Sequence, residues 1–235
     1  MSFEAVATRY PWPDARPYPE PFHYSYDGGG RDLVLDIIRR KPNAVVLEVG
    51  AFLGGSVLQW LAASPDVRVV AVDPWQGDWW IPHARQAGWT ELERRFAEPN
   101  GPLRCFLTNL WEHRDRVVAV PGYSPVKLHE LADLGLKPDV LYFDSDKSGS
   151  GMDEAARLFP EAIITGDDWA WSEMGRQYPI REPVRALARS TGRHIAVRRA
   201  TWVLQTEPLS LRQQVDCAIA ALKDLVRPMR RMILG

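Results

Sequence analysis

The chain has 235 residues and a formal net charge of −1, which suits one α/β domain with a sizeable core and gives no basic face for nucleic acid. Its two cysteines, Cys105 and Cys217, have neither metal nor disulfide spacing, as expected in a reducing cytoplasm. No apolar run approaches a membrane span and the start lacks a signal-peptide pattern, so a cytoplasmic protein without stable membrane insertion is expected.

Residues 1–30 read as an N-terminal arm. From residue 9 onward, prolines alternate with Trp12, Tyr18, Phe22, His23, Tyr24 and Tyr26, a proline density that excludes a helix or central strand. The arm either packs its aromatics on the domain surface or acts as a lid over a site. The main domain spans residues 31–207 and opens with a helix over Asp32 to Arg40, marked by Leu33, Leu35, Ile37 and Ile38.

The stretch AVVLEVGAFLGGS, Ala44 to Ser56, is too continuously apolar for a half-exposed strand and fits a parallel strand covered on both faces. Gly50 supplies a positive φ or a close backbone approach, and Gly54, Gly55 and Ser56 open a helix carrying Val57, Leu58, Trp60 and Leu61. The pattern is E-x-G-x-x-x-G rather than the dinucleotide fingerprint, and Glu48 would repel a pyrophosphate. It would favour a cationic ligand such as S-adenosylmethionine, which carries a sulfonium and an ammonium. A second strand, Val67 to Val72, ends in Asp73, at the usual offset for an acid that holds ribose hydroxyls. The plain alternative is an ordinary strand-to-helix turn.

These residues resemble motif I and the acidic second-strand end of class I S-adenosylmethionine-dependent methyltransferases. EVGAFLGGS is similar to the E-[IVL]-G-x-x-x-G-x-S form of the catechol and caffeoyl-CoA type O-methyltransferases and their natural-product relatives. The resemblance runs from about Val45 to about Leu204. It implies an α/β, Rossmann-like fold, with a mostly parallel seven-stranded sheet, helices on both faces and a C-terminal antiparallel hairpin. It also implies cofactor contacts at Glu48, Gly50, Ala51, Phe52, Gly54, Ser56 and Asp73.

Pro74 to Trp89 reads as a loop leaving the second strand end, and concentrates Trp75, Trp79, Trp80 and Trp89. Such a loop borders the ligand crevice, so its indoles either wall the adenine or an acceptor or are buried against helices, the commoner fate of a single Trp, with His83 a base, a substrate contact or a plain surface residue. Helices are expected at about Thr90 to Ala97 and Leu103 to Trp111, then a strand over Arg116 to Val120 and a helix through Leu128 and Leu131. Between these last two, Gly122 and Ser124 match the family's G-x-S turn near the adenine. Ser124 is equally a helix cap.

Val140 to Phe143 reads as a strand ending in Asp144, Ser145, Asp146 and Lys147. Ile163 and Ile164 form another, ending in Gly166, Asp167 and Asp168. Carboxylates gathered at one sheet edge repel one another unless a cation joins them, and all-oxygen ligation points to Mg²⁺, Mn²⁺ or Ca²⁺. FDSDK resembles the F-[IV]-D-x-D-K segment of the divalent-metal O-methyltransferases, and GDD their [AG]-D-[ND] pair. Carried across, Asp144, Asp167 and Asp168 become metal ligands, Asp144 and Lys147 catalytic residues with Lys147 the base, and Asp144 and Ser145 cofactor contacts. Trp169 and Trp171 would then form the acceptor pocket. The turn through Leu158, Phe159 and Pro160 is shorter than the family's, and Asp168 stands where catechol-type enzymes carry asparagine.

Pro183 to Arg189 reads as a helix, and His194 to Val197 with Thr201 to Gln205 as the closing hairpin. Residues 208–235 carry Leu211, Val215, Ile219, Leu222 and Leu225 on one helical stripe before a basic end. This amphipathic helix docks on its own domain or a partner copy, or lies on a membrane surface. A homo-oligomer would form through it or through the arm. The expected function is Mg²⁺-dependent methyl transfer to a hydroxyl of a small molecule, a natural-product sugar, catechol or similar. The alternatives are a metal-independent methyltransferase using His83 or an acid as base, and a non-catalytic nucleoside-binding protein.

Overall fold

The computed structural model describes residues 2–22, 29–145, 148–149, 151–173 and 176–234. The strands of the main sheet are β1 (Val45–Val49), β2 (Arg68–Asp73), β3 (Val117–Pro121), β4 (Val140–Phe143), β5 (Ile163–Gly166), β8 (His194–Arg198) and β9 (Thr201–Gln205); β6 (Ser172–Glu173) and β7 (Arg176–Gln177) form a separate two-stranded ribbon. The order is β3-β2-β1-β4-β5-β9-β8, with β1 to β5 parallel and β9 antiparallel to both neighbours. The expected seven-stranded sheet and its closing hairpin are both present.

The helices are α1 (Ser2–Arg9), α2 (Asp32–Arg40), α3 (Gly55–Ala63), α4 (Gly77–Gln86), α5 (Thr90–Phe96), α6 (Gly101–Asn109), α7 (Ser124–Asp133), α8 (Met152–Leu158), α9 (Arg181–Thr191) and α10 (Leu211–Leu234). They lie on both faces because β1 buries alternate side chains on opposite sides. Val45, Leu47 and Val49 join a core with Val6 of α1, Leu128 and Leu131 of α7, Ala155 of α8 and Val184 of α9. Val46 joins the other core, with Ile38 of α2, Trp60 of α3 and Phe106 of α6. Five parallel strands ending at one edge create the crevice where such sheets hold ligands.

Two segments differ from expectation. Pro74 to Trp89, read as a loop, contains α4, although Pro82 lies inside it. Proline lacks one N–H for the helix ladder. The helix forms regardless because Ala84 is buried against Leu92 and Phe96, so tertiary packing overrides local propensity. The start of the arm is also helical: α1 buries Phe3 and Val6, one turn apart. Residues 10–22 follow the irregular, surface-packed reading. There the Trp12 indole donates to the Val117 carbonyl at 2.6 Å, and Tyr18 lies between the guanidinium groups of Arg95 and Arg104. His23, Tyr24 and Tyr26 lie outside the described residues.

On α10, Cys217 and Ala220 pack on the core, whereas Leu211, Val215, Ile219 and Leu222 are exposed. Arg198 of β8 holds this helix through Asp216, at 2.9 and 2.7 Å, and pairs with Asp32 of α2 as well. Among the described residues no helix is long and apolar enough to cross a membrane.

Candidate functional site

A cavity of about 710 Å³ opens at the C-terminal ends of β1 to β5. Its floor is the loop after β1. Gly50 has a φ of +93°, and a Cβ there would lie 2.2 Å from the Asp144 carbonyl oxygen, so only glycine lets β1 and β4 end so close together. Gly50, Ala51, Phe52 and Ser56 line the cavity, with Asp73, Gly122, Ser124, Asp144, Ser145, Asp167, Asp168 and Trp171. The topology therefore brings together strand ends spread over more than half of the chain.

Asp73 fastens this floor. Its carboxylate accepts the Phe52 N–H at 2.9 Å and the Trp75 N–H at 2.7 Å, while the Trp75 indole donates to the Phe52 carbonyl at 2.7 Å. Burial pushes the Asp73 carboxyl up to about 6, against the pull of those two N–H groups. Phe52 in turn stacks on Trp80, ring centroids 3.9 Å apart. Trp79 and Tyr123 meet edge to face at the rim, where both are about half exposed. One side of the cavity is thus lined by aromatic rings, suited to packing against an aromatic or apolar ligand.

Glu48 lies behind the floor rather than on it. The carboxyl is fully buried and accepts hydrogen bonds from the Ser56 hydroxyl and, at 2.6 Å, the Trp60 indole. Burial pushes it up to about 7 despite both bonds. The expected meeting of its charge with a cationic ligand is replaced by support of Ser56, because β1 alternation turns Glu48 toward α3. Gly54, Trp169 and His83 also fall outside the cavity lining. The Trp169 ring packs near Arg181 and Arg185, whereas exposed His83 places Nδ1 2.8 Å from the Trp79 carbonyl oxygen. Lys147 lies outside the described residues.

The acidic strand ends are joined by Arg31, a residue that the sequence reading passed over. Its guanidinium Nη2 lies 3.2 Å from Asp167 Oδ2 and 3.5 Å from Asp144 Oδ2, and Nε donates to the Tyr142 hydroxyl at 3.1 Å. That hydroxyl donates to Asp167 Oδ2 at 3.2 Å. Asp167 also accepts the Asp168 N–H at 3.0 Å. Arg31 reaches this point because Gly30 at φ +101° runs against the backbone after β8; a Cβ on Gly30 would stand 1.8 Å from the Arg198 carbonyl oxygen. The only local signal was an arginine after three glycines, at the mouth of an apolar helix.

The metal expectation meets this arrangement directly. Two of the three presumptive ligands, Asp144 and Asp167, already face one guanidinium, and a dication among them would stand against its charge. Among the described residues no group of three His, Cys, Asp or Glu side chains is placed to hold a metal ion. The residues as arranged do not fit the Mg²⁺ site implied by the resemblance.

No protein-family model matches the chain, and no curated protein matches it. Solved structures do. An O-methyltransferase from Bacillus cereus in complex with SAH is 20% identical, over 78% of this chain and 82% of that one, at a TM-score of 0.52. The O-methyltransferase TomG from Streptomyces achromogenes, involved in tomaymycin synthesis and solved with SAM, is 17% identical, over 87% and 90%, at 0.51. A cofactor-bound protein from MTB is 21% identical, over 88% of each chain, at 0.51. At these identities the likeness shows the fold, which is the Rossmann-like class I methyltransferase fold.

Proposed function

We propose that this protein transfers a methyl group from S-adenosylmethionine to a hydroxyl of a small molecule. The observation that carries the reading is Asp73 beside the Gly50 to Ser56 floor, inside a cavity that also takes in Ser124 and Ser145. Two solved structures with this fold, the proteins from B. cereus and S. achromogenes, are in complex with SAH and SAM respectively. Asp73 would hold the ribose hydroxyls, the backbone of Gly50 to Phe52 the amino-acid end, and Gly122, Ser124 and Ser145 the adenine side.

Transfer is an in-line displacement. The acceptor oxygen forms a bond to the methyl carbon while the carbon–sulfur bond breaks, its electron pair staying on sulfur, and the hydroxyl proton passes to a base. Lys147 is the proposed base, by its place in FDSDK. The rest is positioning: an acceptor held by the aromatic rim of Trp79, Tyr123 and Trp171 presents its oxygen behind the methyl group. Sulfonium charge is neutralised as the bond forms, so a site that excludes water favours the reaction. No step is assigned to Mg²⁺.

The test is calorimetric titration of the purified protein with S-adenosylmethionine and S-adenosylhomocysteine. Binding at micromolar Kd, lost on Asp73→Ala, is the expected result; no heat and no thermal protection from either nucleoside would end the methyltransferase reading.

A further inference from the structure

We infer that Arg31 fills the cation position at the acceptor end of the cavity, so that this protein takes up no divalent metal there and works on acceptors presenting a single hydroxyl. The catalytic consequence rests on the methyltransferase reading; the cation site itself does not.

Three observations lead to it. First, the guanidinium is placed by the fold rather than by chance of rotamer: its side chain is 5% exposed, with Tyr142, Asp167 and Asp144 around it. Second, Arg31, Asp144 and Asp167 all line the same cavity, so the cation and the two carboxylates it pairs with belong to one site. Third, the charge is permanent. An arginine that remains charged at every working pH does electrostatically what a bound cation would do, at a fixed position and without a binding equilibrium.

The substitution changes which acceptors suit the site. A metal ion gains by chelating two neighbouring oxygens, whereas the Arg31 guanidinium, with Nη2 and Nε already engaged by Asp167, Asp144 and Tyr142, does not clasp two acceptor oxygens as a fork. A vicinal diol then has no special advantage over an isolated hydroxyl. The aromatic rim of Trp79, Tyr123 and Trp171 favours a flat ring bearing that hydroxyl.

The experiment is Mn²⁺ titration followed by electron paramagnetic resonance, on the full chain without nucleoside. Four proteins are compared: wild type, Asp167→Asn, Arg31→Met and Arg31→Met/Asp167→Asn. Wild type is expected to leave Mn²⁺ free up to millimolar concentration. Arg31→Met, its carboxylates relieved of their counter-charge, is expected to bind at least tenfold more tightly, and the double variant to lose that gain. Wild-type binding that disappears in Asp167→Asn would overturn the inference, and so would a folded Arg31→Met that binds no better than wild type. Arg31→Gln, which still donates to Tyr142 or Asp167, carries the same comparison should Arg31→Met not fold. A parallel S-adenosylhomocysteine titration of the wild type reports on the methyltransferase reading separately, so the two can fail independently.

Discussion

Arg31 and Asp167, 136 positions apart in sequence, meet at 3.2 Å with only 5% and 6% of their side chains exposed. A buried pair of this kind sets geometry more than it adds net stability, since desolvation consumes most of the attraction. Here it ties the entry of α2 to the end of β5, with Tyr142 of β4 bonded to both partners. The acceptor end of the cavity is therefore held by side chains from three elements.

Glu48 should make stability fall as pH rises. Its carboxyl is raised from an ordinary 4.5 to about 7, so its contribution is fully present below pH 4.5 and is lost as pH climbs through about 7. The loss from this group is ~3 kcal/mol across that window. Asp73 acts in the same direction, so the diagnostic quantity is the difference between wild type and Glu48→Gln, in which the amide still satisfies Ser56 and Trp60. Urea melts at pH 5 and pH 8 should show a shallower decline in the variant; parallel declines would mean that Glu48 is not the titrating group.

Gly50→Ala is expected to cost about 2–4 kcal/mol, because the new Cβ meets the Asp144 carbonyl in a backbone conformation that L-residues avoid. For a chain of this length that is roughly 5–15 °C in melting temperature. Differential scanning calorimetry measures it, and an unchanged transition would show that the β1–β4 approach relaxes freely.

Asp73→Asn retains the shape but loses the charge that receives the Phe52 and Trp75 N–H groups. Affinity for S-adenosylhomocysteine should drop roughly 10- to 100-fold, the worth of one charge-assisted hydrogen bond. Equal affinities for variant and wild type would remove Asp73 from the ribose site.

Asp216→Asn weakens the grip of Arg198 on α10. Hydrogen exchange of the Gln213 to Ala220 amides should accelerate by about fivefold, in line with ~1 kcal/mol of local opening, while the β1 and β4 amides remain as slow as before. If α10 exchanges at the wild-type rate, the helix is held by its apolar contacts alone.

Much of the fold was legible because its signals are local. The apolar runs at Val45 to Val49, broken only by Glu48, and at Val140 to Phe143 are short, β-branched or aromatic, and punctuated by glycine and aspartate, so each reads as a doubly covered strand. The cavity-lining glycines and acids followed from those strand ends. The helix at Gly77–Gln86 was not legible: its proline and tryptophans say loop, and the burial of Ala84 that overrides them depends on α5, folded from the next segment.

The sequence by itself determined where β1, β2, β4 and β5 stop and which acid stands at each of those ends, since apolar run length and chain reversal are properties of neighbouring residues. Only the tertiary structure decided what those acids face. Glu48 turned inward to Ser56 and Trp60, and Asp144 with Asp167 received a guanidinium from the far end of the domain. A charge pair leaves no periodic trace along the chain, and its partners are chosen by which strands lie side by side.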